Sequence, residues 1–149
     1  MPSRYLVLAA RFNDLITKAL VAGAQDAFTE MGVDPGQVDL LWVPGCFELA
    51  TVAAKAARSG TYAAIVCLGA VIRGETPHFD YVAGQAAGGL QRVGIETGVP
   101  VIFGVLTTDT VEQALNRSGI KSGNKGADAA RAAIQMTQAL SRLEELVRR

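Results

Sequence analysis

Apolar and polar residues alternate along this chain in blocks. Residues 5–10 (YLVLAA) form a short unbroken apolar run, the pattern of a strand covered on both faces. From residue 14 to residue 31 the apolar positions, among them Leu15, Ala19, Ala22 and Ala27, recur at helical spacing, and Gly32 closes the segment. The same exchange then repeats. Strands are predicted at 38–43, 63–69 and 99–106, with helices at 47–58, 79–96 and 110–117. A glycine-rich stretch, SGIKSGNKG, leads into a long final helix at 127–146. Regular strand–helix alternation with apolar strands predicts an α/β fold, a flavodoxin-like three-layer sandwich around a four-stranded parallel sheet. No repeat, low-complexity tract or linker interrupts it, so residues 1–149 read as a single domain.

In an open parallel sheet, ligands bind outside the carboxyl ends of the strands. Arg11-Phe12-Asn13 follows the first strand, Pro44-Gly45-Cys46-Phe47-Glu48 the second, and Val71 to His78 the third. These three segments therefore share one edge of the sheet. Together they offer aromatic faces, an amide, a carboxylate, backbone NH groups and one imidazole, a set suited to a small ring-bearing molecule. His78 is the only histidine in the chain. Thr76 fits a helix N-cap and Pro77 the first helical position, which places His78 in a first turn. The helix dipole there disfavours a positive imidazole, Asp80 favours one, and either balance suits proton transfer near neutrality. The residues alone leave open whether His78 transfers protons or simply caps and packs. Glu48 can likewise be a ligand or an acid favoured by its helix start, and Phe12 and Phe47 can be core. Cys46, with no evident contact to the imidazole, reads as a packing or pocket-wall residue. The turn at 74–76 has an anion-binding character. The segment around Lys125 is no phosphate loop of the Walker type, because glycine follows the lysine and no strand precedes it. Arg117 and Lys125 are equally compatible with solvated helix ends.

Composition narrows the classes. Fourteen basic and fourteen acidic residues cancel, so no global field draws the chain to nucleic acid or to an anionic membrane. Only 19% of residues are charged, against roughly 25% in an average soluble domain, while 50% are apolar. For a small domain that balance points to surface covered by other copies. Cys46 and Cys67 lack metal or redox spacing, so neither a disulfide framework nor a zinc site is expected. The N-terminal apolar run is too short for a signal peptide and no stretch approaches membrane-spanning length, giving the expectation of a soluble, cytoplasmic protein.

Six segments in order, RFN, PGCFE, GAVIRGETPHFDYV, PVIFGVLTTD, EQALNRSG and GNKGADAA, make the chain similar to the lumazine synthase family, in its widespread riboflavin-pathway form. The resemblance runs from about Tyr5 into the final helix. It implies condensation of 5-amino-6-ribitylaminouracil with 3,4-dihydroxy-2-butanone 4-phosphate to 6,7-dimethyl-8-ribityllumazine, releasing phosphate and water, with no metal or organic cofactor. Under it, Phe12 stacks on the pyrimidine and Cys46-Phe47-Glu48 holds that substrate, Glu48 accepting from ribityl hydroxyls. Ala70, Val71 and Ile72 contact the heterocycle through backbone groups, Glu75 and Thr76 line the phosphate site, and His78 moves protons. Phe103, Arg117 and Lys125 complete the site, Arg117 gripping phosphate.

Phe103 falls toward the start or middle of the fourth strand and Arg117 near the end of the next helix, away from His78. A neighbouring copy is therefore expected to supply them, as in the pentamers of the family, some of which assemble into icosahedral 60-mers. Three departures from the family pattern stand out. Leu49 follows the glutamate where proline is frequent, Cys46 occupies a position usually taken by another small residue, and little chain precedes Tyr5, where many members carry an extra strand. The loop at 119–126 has no insertion of the kind associated with isolated pentamers. The competing expectations are a non-catalytic flavin- or ribityl-compound-binding module on the same fold, and a shell-forming protein with an idle pocket.

Overall fold

The computed structural model describes residues 2–74, 78–119 and 123–149. The chain runs β1 (Arg4–Ala10), α1 (Asp14–Glu30), β2 (Val38–Val43), α2 (Leu49–Arg58), β3 (Tyr62–Ile72), α3 (His78–Thr97), β4 (Val101–Thr108), α4 (Val111–Arg117) and α5 (Lys125–Val147). Short 3-10 turns at Pro35–Gln37 and Cys46–Glu48 precede β2 and α2. All strand pairs are parallel, in the order β2-β1-β3-β4. The α/β sandwich and its four-stranded parallel sheet are as the sequence pattern predicts. No helix among the described residues is long and apolar enough to cross a membrane.

Period-two alternation divides the core in two. Tyr5, Val7 and Ala9 of β1, with Ala64, Val66, Leu68 and Ala70 of β3, pack on α1, α4 and α5. Leu6, Leu8 and Ala10, with Ile65, Cys67 and Val71, pack on α2 and α3. The apolar runs of β1 and β3 are thus covered on both sides. β2 is an edge strand and keeps Leu40 and Leu41 exposed. The helix layer of α1 and α5 is drawn tight by small residues: a Cβ on Gly126 would lie 1.9 Å from the carbonyl oxygen of Leu20, so only glycine allows the two backbones to touch.

Several boundaries differ from the sequence pattern for local reasons. The predicted helix at 47–58 begins only at Leu49, because Cys46–Glu48 turns more tightly. β3 continues to Ile72 instead of ending at Gly69. β4 also runs on, Ile72 pairs with Thr108, and Arg73 NH donates to the Thr108 carbonyl at 2.8 Å. α5 starts at Lys125 because the Asn124 side chain accepts from Ala127 NH at 3.1 Å and fixes the first turn. The expected N-cap Thr76 and the following Pro77 lie outside the described residues.

Candidate functional site

The strand order reverses direction between β1 and β3. The connection from β1 leads to one neighbour and the one from β2 to the other, which opens a crevice above their carboxyl ends. A pocket of about 470 Å³ occupies it, lined by Phe12, Asn13, Gly45, Cys46, Phe47, Glu48, Ala70, Val71, Ile72, His78, Tyr81 and Val82. Eight of the residues singled out from sequence meet here: Phe12, Cys46, Phe47, Glu48, Ala70, Val71, Ile72 and His78.

Asn13 builds the first wall. It is the one residue other than glycine with positive φ among those described, at φ 62° and ψ 43°. Asparagine tolerates this left-handed conformation better than most side chains. Its amide does not cap α1 but crosses to the end of β3, where Nδ2 donates to the Ala70 carbonyl at 2.9 Å. Phe12 NH donates to the Pro44 carbonyl at 3.2 Å, so the turn is tied to β2's exit as well. The outcome is a phenyl ring held on fixed backbone yet 72% exposed.

Cys46 forms the floor. A Cβ on Gly69 would come within 2.5 Å of its sulfur, so the thiol sits in the space that glycine leaves. Burial pushes the thiol up to about 12, the Ala70 backbone hydrogen bond pulling the other way and the Glu48 charge adding to the rise. At neutral pH it is protonated, a wall and not a nucleophile. Cys67, in the strand beneath, is driven up by complete burial.

α3 supplies the third wall. His78 and Tyr81 stand three residues apart, hence on one helix face. Arg73, just past β3, pins the start of that helix. Its Nε donates to Asp109 Oδ1 at 2.8 Å, its Nη1 lies 3.9 Å from Asp80 Oδ1, and its guanidinium sits 4.5 Å from the Phe79 ring centre. The hydrogen bond Arg73 donates to Asp109, with the charges of Asp109 and Asp80, holds Arg73 firmly as a cation.

Phe12, Phe47 and Tyr81 are 72%, 55% and 68% exposed around one cavity. Three rings left in water on a small domain mark a surface kept for an aromatic or amphipathic partner. Tyr81, Val82 and the bridging role of Asn13 escaped the sequence reading. Helical spacing from His78 was the available signal for Tyr81.

The other predicted residues lie elsewhere. Phe103, the third residue of the edge strand β4, pairs with Cys67 of β3 and packs half-buried against the α2–α3 core. Arg117 ends α4 and Lys125 begins α5. Both are exposed, in the helix layer on the other face of the sheet from α3. Within one chain they do not line the pocket. Glu75 and Thr76 lie outside the described residues. The family model described as 6,7-dimethyl-8-ribityllumazine synthase matches residues 2–141 of this chain, and the chain belongs to that family.

Proposed function

We propose that this member of the lumazine synthase family, whose membership places it in the lumazine-forming chemistry of riboflavin biosynthesis, condenses 5-amino-6-ribitylaminouracil with 3,4-dihydroxy-2-butanone 4-phosphate. The products are 6,7-dimethyl-8-ribityllumazine, phosphate and water. All 149 residues act as one unit in this reading. The observation that carries it is the convergence of Phe12, Glu48 and His78 from three separate segments on one pocket, in a chain of this family.

In this mechanism the pyrimidine ring stacks on Phe12 above Cys46, with Ala70, Val71 and Ile72 along its edge. Glu48 accepts hydrogen bonds from the ribityl hydroxyls. The pyrimidine's amine adds to the ketone of the second substrate and water leaves to give an imine. Phosphate is then eliminated to leave an enol that tautomerises to a ketone, and the ribityl-bearing nitrogen adds to that ketone and closes the ring as a second water leaves. These steps are mainly proton transfers between two reactants held together, so much of the acceleration comes from orientation. His78 moves the protons, within reach of both reactants at the pocket's mouth. Glu75 and Thr76 contact the phosphate. A leaving phosphate needs cationic help, which Arg117 supplies through paired NH donors.

Because Arg117, Lys125 and Phe103 stand away from His78 in one chain, an adjacent copy brings them to the pocket. The assembly in this reading is a homopentamer, with a 60-mer shell as its possible extension. Mixing the two substrates with purified protein should produce the lumazine absorbance. Binding of ribityl compounds without any turnover would instead identify a non-catalytic module. Arg117→Ala should raise KM for the phosphorylated substrate by at least about tenfold, as expected for loss of a charge-assisted contact, with pyrimidine binding unchanged. Equal losses for both substrates would remove the assigned role.

A further inference from the structure

We infer that Asn124 is a positioning residue for phosphate recognition: a clasp that sets Arg117 and Lys125 beside each other. The inference rests on the phosphate role of Arg117 given above and extends it to a residue that touches no substrate.

Asn124 uses both ends of its amide. Its Oδ1 accepts from Ala127 NH at 3.1 Å, the N-cap bond of α5. Its Nδ2 donates to the Ala19 carbonyl of α1 at 3.0 Å and to the Ser118 carbonyl at 3.1 Å. The backbones of Ser118 and Asn124 also form an isolated antiparallel bridge. In that register the residues immediately outside the bridge are Arg117 and Lys125. One partly buried side chain therefore ties the end of α4, the start of α5 and the body of α1 together.

The amide fits because α1 makes room for it. A Cβ on Gly23 would lie 2.3 Å from Asn124 Cγ, so that glycine keeps the seat open. The cations it arranges are unspent. Arg117 and Lys125 are both exposed, and among the described residues neither has an acidic partner. Two like charges at adjacent positions repel unless something rigid holds them, and a dianion between them reverses the sign. A neutral amide suits the task, because a carboxylate there would neutralise the pair it serves.

Serine separates the clasp from the cap, since its hydroxyl can still accept from Ala127 NH but cannot reach two carbonyls. Asn124→Ser in the full-length assembled protein should weaken inorganic phosphate binding, measured by calorimetry, by about tenfold. KM for the phosphorylated substrate should rise by a similar factor, with KM for the pyrimidine and the far-UV helix signal unchanged. Gly23→Ala approaches the same clasp from α1. Alanine ordinarily strengthens a helix interior, so a matching loss of phosphate affinity would come from displacing the amide; this variant also decides the matter if Asn124→Ser fails to fold. Unchanged phosphate binding in both variants, beside a clear loss in Arg117→Ala, would overturn the clasp alone. A parallel rise of both KM values would do the same, by revealing a merely structural residue. Normal phosphate affinity in Arg117→Ala would remove the phosphate grip itself, and the clasp with it.

Discussion

The two ends of the sheet are built on opposite terms. At the amino ends, polar groups are spent on one another. Arg4 Nη2 donates to Asp39 Oδ1 at 2.6 Å, Tyr62 OH donates to Asp39 Oδ2 at 2.7 Å, and three adjacent strands are bolted together. Tyr5 packs its ring 4.9 Å from that of Phe28 and points its hydroxyl at Thr137. At the carboxyl ends, aromatic rings stand in water, a backbone turn is left-handed, and a cysteine lines a cavity. The first end spends its polar groups internally except for Arg4 Nε, which is buried without a partner among the described residues, while the second leaves aromatic rings in water around a cavity. Strain and exposed apolar surface are costs a fold retains mainly where binding repays them.

Substitutions at each end should separate along that line. The largest effect is expected from His78→Ala. If His78 transfers protons as proposed above, its loss lowers turnover by about 10²-fold or more, while melting temperature and assembly hold. An unfolded variant would return the histidine to a packing role. Gly69→Ala comes next, because the new methyl meets the Cys46 sulfur beneath the pocket. Overpacking of this kind costs on the order of 1–3 kcal/mol, visible in denaturant unfolding. The double variant with Cys46→Ala should recover most of it; no recovery would show that the clash lies elsewhere, against the nearby Ala10 methyl.

Asp39→Asn should have the smallest effect, a modest fall in melting temperature with turnover intact. The Arg4 hydrogen bond, then the Tyr62 one, pull the Asp39 carboxyl below its ordinary value of 3.8. A depressed carboxyl contributes stability that is fully present above 3.8 and is lost as pH falls through the lowered folded value. Acid titration of stability should therefore be shallower in Asp39→Asn than in the parent chain. Identical acid profiles would mean that these exposed contacts carry no net energy, as surface pairs often do not.

Much of the scaffold was legible beforehand, because β1 and β3 are apolar on both faces and a continuous run announces that directly. The last three residues of β3 were not, since their state depends on β4 continuing beside them, a fact held in a segment more than thirty residues away. Phe12, Glu48 and His78 could be placed at one edge from strand polarity alone. Asn13 could be seen as an available amide but not as a bridge, because neither its backbone conformation nor Ala70 as its acceptor is visible locally. Arg117 and Lys125 were readable as cations, whereas the bridge from Ser118 to Asn124 and the bonds of the Asn124 amide, which tie the end of α4 to the start of α5, are set by tertiary contacts.

The bond from Asn13 to Ala70 joins residues 57 positions apart. Until β3 docks on β1 that acceptor is missing, and the left-handed turn beneath Phe12 keeps only its ties to β2, such as Phe12 NH to the Pro44 carbonyl. A nascent or truncated chain ending before β3 would hold the turn, and the ring on it, less firmly. If Phe12 stacks on substrate as proposed, that recognition is firmest in chains whose central strand is already home.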